Sequence, residues 1–279
     1  MTPTAMIPET KPWALSTLPP FPAVALKVLE ELSKPEFEVK QVVRWIESDP
    51  AFTAELLRVA NSALYGFSYQ IQSVHHAAMT LGADFVKALA MTVAMRTYLK
   101  TALRLPILRR CWRHSLACGV LAGELNTANR NGSDTAYTAG LLHDIGRMGL
   151  LAAYPAEYAN LLGVSAEHTF DLLHCEHELF DIDHCEAGAW LARKWRLPPD
   201  LVSIAARHHE EPGIDSSTLN TVQLACRLAD ALGFSVIQER SVEDYLSVMN
   251  RLTPEARAKF PDSLEELKAM IVARIDALN

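Results

Sequence analysis

The stretch Gly140-Leu141-Leu142-His143-Asp144-Ile145-Gly146-Arg147 most constrains what this chain can become. An adjacent histidine and aspartate sit inside an apolar run of helical pattern, where either is costly to bury without a partner. Neighbouring side chains on a helix point about 100° apart, so one helix cannot enclose a cation with this pair alone. Other elements must close the shell. Ligand-type residues stand ready for that role: His114 upstream, and His184, His208, His209 and Asp230 downstream. Most of them lie in Ala/Leu-rich segments that read as buried helices.

Composition sets the fold class. Of 279 residues, 49% are hydrophobic, enough for a large core, and Ala and Leu dominate over β-branched residues. An all-α, multi-helix architecture follows. The net charge is −7 and no block of five like charges occurs, which excludes a nucleic-acid footprint. No basic-then-apolar leader opens the chain, and no apolar run reaches the ~18 residues that span a bilayer. The five cysteines contain no CxxC pair and suit reduced thiols. The expectation is a soluble cytoplasmic protein that needs neither membrane nor nucleic acid.

Read in order, residues 1–15 form a Pro/Thr-rich N-terminal arm. Residues 16–103 form an N-terminal helical part, 104–235 a helical bundle carrying the metal-type site, and 236–279 C-terminal helices that pack back. Asp49-Pro50 marks a helix start, and Gly66 ends that helical face. Ser73 caps a short helix closed by Leu81-Gly82. Ile107 to Leu125 reads as one helix with His114, Asn126 to Asp134 as a loop, and Thr135 to Leu151 as one helix carrying His143-Asp144. Ser165 to Phe180 reads as a further helix. Leu201 to His209 ends at a stop, Glu210-Glu211-Pro212-Gly213.

Imidazole nitrogens with carboxylate oxygens suit Zn, Mn, Fe or Mg. A His114/His143/Asp144/Asp230 shell holds one divalent ion with positions open for water, whose lowered pKa gives a nucleophile for phosphoester hydrolysis. His184, His208 and His209 could hold a second ion, with Asp144 bridging the two. In the bland alternative each side chain only satisfies a core hydrogen bond. His168, His174 and His177 lie in a segment rich in Glu and Asp and read as solvated, and His75 and His76, with no close acidic neighbour, as surface or packing residues. Four separate helices each bringing a ligand-type residue weighs against the bland alternative for the others.

This joint pattern resembles the HD superfamily of metal-dependent phosphohydrolases, whose signature is H…HD…D. More closely it resembles the HDOD family, bacterial signalling modules related to the HD-GYP phosphodiesterases. The resemblance spans roughly residues 16 to 235. It rests on Leu18-Pro19-Pro20-Phe21-Pro22, Asp49-Pro50-Ala51-Phe52-Thr53, Leu57-Arg58-Val59-Ala60-Asn61-Ser62, Thr80-Leu81-Gly82, Trp112-Arg113-His114-Ser115, Gly140 to Gly146, Asp183-His184-Cys185-Glu186-Ala187-Gly188, Trp195-Arg196-Leu197-Pro198, His208-His209 and Leu228-Ala229-Asp230. It implies an HD-like helical bundle and a signalling output through regulatory protein partners. The metal ligands it implies are His114, His143, Asp144, His184, His208, His209 and Asp230. The alternative is an active metal-dependent phosphohydrolase on a nucleotide or other phosphoester, with Asp144 and Arg147 carrying the chemistry. Glu211-Pro212-Gly213-Ile214 follows His208-His209-Glu210 where the relative has GYP, which argues against cyclic-di-GMP hydrolysis. Arg110 stands one turn before His114, where that relative has a liganding glutamate. Arg147 replaces the usual lysine and offers a phosphate a bidentate cation.

Overall fold

The structure is a computed structural model and describes residues 11–18, 20–32, 34, 38–62, 69–100, 102–126, 136–167, 171–211, 217–237 and 243–278. The first ten residues of the arm, Pro19, Gly66, most of the 126–134 loop, His168 and the Pro212-Gly213 stop lie outside the described residues. Every regular element among the described residues is helical. The N-terminal part comprises α1 (Ala23–Leu32), α2 (Val39–Glu47), α3 (Pro50–Ala60), α4 (Val74–Leu81) and α5 (Ala83–Tyr98). The bundle comprises α6 (Pro106–Asn126), α7 (Ala136–Leu142), α8 (Ile145–Ala153), α9 (Pro155–Glu167), α10 (Leu172–Phe180), α11 (His184–Lys194), α12 (Pro199–Arg207) and α13 (Thr218–Ala229). Three C-terminal helices follow: α14 (Tyr245–Asn250), α15 (Pro254–Arg257) and α16 (Leu264–Leu278).

Local chemistry fixes the helix starts. The Asp49 carboxylate accepts from the Ala51 and Phe52 amides, each at 3.0 Å, and Pro50 occupies the first turn. Asp49→Ala should therefore cost about 1 kcal/mol in urea denaturation. Asp183 and Glu186 form a reciprocal capping box that fixes where α11 begins, and so where His184 stands.

One hydrophobic core runs from Ala14 to Leu278, through both expected parts of the chain. Phe21 stacks on Trp195 with ring centroids 4.2 Å apart, and Tyr98 meets Trp195 edge-on at 5.3 Å. Thr92 on α5 shares a 2.8 Å hydrogen bond with Tyr137 on α7. The end of the expected arm is also packed: Ala14 and Leu15 are buried, and the Trp13 indole N–H donates to Asp181 at 2.8 Å.

Two boundaries differ from the sequence reading. The run from Thr135 to Leu151 is not one helix: it breaks at His143-Asp144 into α7 and α8. Close packing imposes the break. A Cβ on Gly140 would lie 2.6 Å from the Cys118 carbonyl oxygen on α6, and one on Gly146 2.0 Å from the His184 carbonyl oxygen. Each half of the run is thus pressed against a different helix. The second difference is in residues 165–180, where α10 starts only at Leu172 because the Asp171 carboxylate caps it.

Candidate metal centre

The break between α7 and α8 turns both His143 and Asp144 inward, where they are 2% and 3% exposed. Asp144 precedes α8 yet makes no side-chain cap, so its carboxylate is left for the interior. Its Oδ2 accepts from Arg147 Nε at 2.6 Å. Its Oδ1 has no hydrogen-bond partner and lies 3.6 Å from His184 Nε2 and 3.9 Å from His208 Nε2. Burial opposes ionisation of this carboxyl, but the Arg147 guanidinium, then His184 and His143, outweigh it and hold the pKa well below the usual range.

Four histidines present one nitrogen in the same way. The Nδ1–H of His143 donates to the Gly140 carbonyl at 2.6 Å, that of His208 to Ala205 at 3.0 Å, and that of His114 to Phe234 at 3.2 Å. His184 donates through Nδ1 to the Glu176 carboxylate at 2.6 Å. These acceptors can only accept, so each ring carries a proton on Nδ1 and turns Nε2 inward. An outer partner on Nδ1 that turns Nε2 inward is the arrangement that orients an imidazole toward a cation, and of the four only His208 Nε2 has no hydrogen-bond partner. Burial, reinforced by the charge of His143, pushes the His208 pKa down to about 3, so its Nε2 stays a bare acceptor.

The residues fit a divalent ion. His208 Nε2 and Asp144 Oδ1 are buried acceptors without a donor, and both His184 Nε2 and His208 Nε2 stand within 4 Å of that oxygen. Ligands about 2.0–2.2 Å from one ion stand roughly 3–4 Å from each other, which matches their spacing. The exposed His209 places its Nε2 2.8 Å from that of His184, at hydrogen-bond distance rather than at the spacing of two ligands on one ion.

Arg147 lines the pocket but turns its guanidinium onto its neighbours. It is 4% exposed, and besides Asp144 it donates through Nη2 to His184 Nε2 at 2.9 Å. Its Nη1 lies 4.0 Å from Glu176. The guanidinium therefore holds one Asp144 oxygen, which leaves only the other for an ion.

His114 and His143 lie on the other side, with ring centroids 5.3 Å apart. Asp230, expected beside them, has its Oδ1 3.5 Å from His114 Nδ1, on the ring edge opposite the lone-pair nitrogen. Arg110 is exposed, and its guanidinium donates to the Val236 carbonyl at 3.4 Å. A pocket of about 290 Å³ reaches from solvent to His114, His143, Asp144 and His208.

Sequence reasoning passed over Glu176. Its carboxylate is fully buried, takes the His184 Nδ1–H and the His184 amide (2.8 Å), and also accepts from the Tyr158 hydroxyl. Its place on the same face of α10 as Leu172 and Phe180 was the available signal. His174 and His177, on the solvent face, are exposed as expected.

Comparison with known proteins agrees with this architecture. The chain is 25% identical over 202 residues to an uncharacterized protein of Treponema pallidum (strain Nichols), a match covering 71% of this chain and 39% of that protein. It thus spans less than two-fifths of the length of the curated relatives it matches. A crystal structure of a candidate phosphohydrolase from Shewanella amazonensis SB2B superposes with a TM-score of 0.74 at 21% identity, covering 96% of this chain and 99% of that one. A candidate signal transduction protein from Marinobacter aquaeolei VT8 superposes with a TM-score of 0.70 at 25% identity, covering 94% of this chain and 60% of that one. Residues 18–211 match the HDOD domain, and the chain belongs to the HDOD family.

Proposed function

We propose that this protein is a regulatory HDOD module that holds one divalent ion on Asp144, His184 and His208, and acts through protein partners. The observation that supports the ion is the pair of unpartnered buried acceptors, Asp144 Oδ1 and His208 Nε2, facing each other at 3.9 Å. The observation that favours regulation over hydrolysis is the Arg147 contact. With its Oδ2 on the Arg147 cation at 2.6 Å, Asp144 presents that oxygen to a positive charge, which disfavours a second ion there. The name of the Marinobacter structure, a signal transduction protein, points the same way.

Hydrolysis of a nucleotide or other phosphoester is the second reading, favoured by the pocket that opens onto the same residues. The ion would supply Lewis acidity there.

Calorimetric titration of Mn, Fe or Zn into tag-free protein tests the ion. His208→Ala and Asp144→Asn should each weaken binding more than about 100-fold, beyond the 10–100-fold typical of outer-shell losses. Exposed His174→Ala should leave it unchanged. Equal affinity in all three variants would overturn the assigned ligands. Turnover of any phosphoester by the metal-loaded protein would overturn the regulatory reading in favour of the enzyme.

A further inference from the structure

Two cysteines complete a second cluster beside the first. Cys118 stands one turn after His114 on α6, so the two share a helix face, and its Sγ lies 3.4 Å from His114 Nε2. Cys226 reaches the same place from α13. The ligand atoms of His114, Cys118, His143 and Cys226 all lie within 4.8 Å of one another. The backbone forces this convergence: Gly140 on α7 sits against the Cys118 carbonyl, too close for any Cβ, and His143 follows three residues later. His114 and His143 give up Nδ1 to backbone carbonyls and bring Nε2 to the cluster. Cys118 is fully buried, whereas Cys226 lines the pocket and leaves the cluster a path to solvent.

We infer that His114, Cys118, His143 and Cys226 form a thiolate-containing site for a thiophilic divalent ion such as zinc, separate from the ion held by Asp144 and His208. A tetrahedral ion with bonds of about 2.3 Å to sulfur and 2.0–2.1 Å to nitrogen sets its ligand atoms roughly 3.4–3.8 Å apart. The 3.4 Å between Cys118 Sγ and His114 Nε2 is already at that spacing. Two thiolates and two neutral imidazoles on Zn(II) leave no net charge, which suits the buried position. Cys185 also brings a ligand atom within 4.8 Å of those of His184, His208 and His209, so substitutions at Cys118 and Cys226, rather than the mere presence of sulfur, tell the two sites apart. Binding releases the thiol protons to solvent, and no electron transfer is involved.

Cobalt(II), added to the reduced full-length chain, reads the ligands directly. The expected result is thiolate-to-cobalt charge-transfer absorption and the intense visible bands of a four-coordinate ion, saturating at one equivalent. Cys118→Ser and Cys226→Ser, both close in shape to the parent, should each abolish the charge-transfer band. His208→Ala should retain it and lose only the other ion. Bound cobalt without charge transfer in the parent protein overturns this site and leaves the Asp144 ion standing. Charge transfer with an ion count that His208→Ala does not lower supports this site and overturns the other. Should a serine variant not fold, alkylation decides: zinc should slow modification of Cys226 at least about tenfold, since a metal-held thiolate is not free to attack. Unchanged alkylation with zinc bound overturns the proposal.

Discussion

Gly146→Ala is expected to be the most damaging small substitution in the chain, costing at least about 4 kcal/mol or preventing folding outright. A Cβ there would lie 2.0 Å from the His184 carbonyl oxygen and 2.3 Å from the Gly188 amide nitrogen. Both are backbone atoms of α11, so no side chain can rotate away. Relief requires α8 and α11 to separate, and that moves Asp144 and Arg147 away from His184. Gly163→Ala is the matched control: it lies in α9 with nothing within 4 Å of its added Cβ. That variant should gain about 0.5–1 kcal/mol, the ordinary benefit of alanine over glycine in a helix. Urea denaturation of the two variants checks both. A Gly146→Ala protein within 1 kcal/mol of the parent would show that the α8–α11 contact is looser than described.

Glu176→Ala is expected to cost about 3–5 kcal/mol, the usual cost of removing one partner from a buried charged cluster. The side chain is fully buried and binds the amide and ring of His184 as well as Tyr158. Its loss leaves Arg147 and His184 without their shared carboxylate. The pH dependence follows from the same contacts. Burial opposes ionisation of Glu176, but His184 and Arg147 outweigh it and lower its pKa below 4.5. A carboxyl with a depressed folded pKa adds stability that is present above the unfolded value and lost as pH falls through the folded one. The parent should therefore lose stability below about pH 4.5, and Glu176→Ala should show a shallower acid slope across that window. An identical slope in the two proteins would assign the acid transition to other carboxylates.

These two sites show what the sequence carries and what it hides. Caps are legible because they are local: Asp49 and Ser73 both act within three residues of themselves. The histidines and Asp144 are legible because charged and ligand-type side chains stand out in apolar helices. The break at His143-Asp144 is not, since local pattern favours a continuous helix and only contact with α6 and α11 interrupts it. Glu176 is hidden by acidic and histidine neighbours that suggest solvent, although its helix face is apolar. Cys118 and Cys226 read as plain reduced thiols until α6 and α13 are seen side by side. Arg147 reads as a substrate cation because sequence cannot tell an outward guanidinium from one turned onto Asp144.

The measurement that tests the account most directly is anomalous X-ray diffraction from crystals of tag-free, chelator-free protein soaked in manganese. An anomalous peak within about 2.5 Å of Asp144 Oδ1, His184 Nε2 and His208 Nε2, with Arg147 Nε still on Asp144 Oδ2 and its Nη2 moved off His184 Nε2, is the predicted result. Protein that takes up no manganese there, or an ion bridged by both Asp144 oxygens with Arg147 displaced, would contradict it.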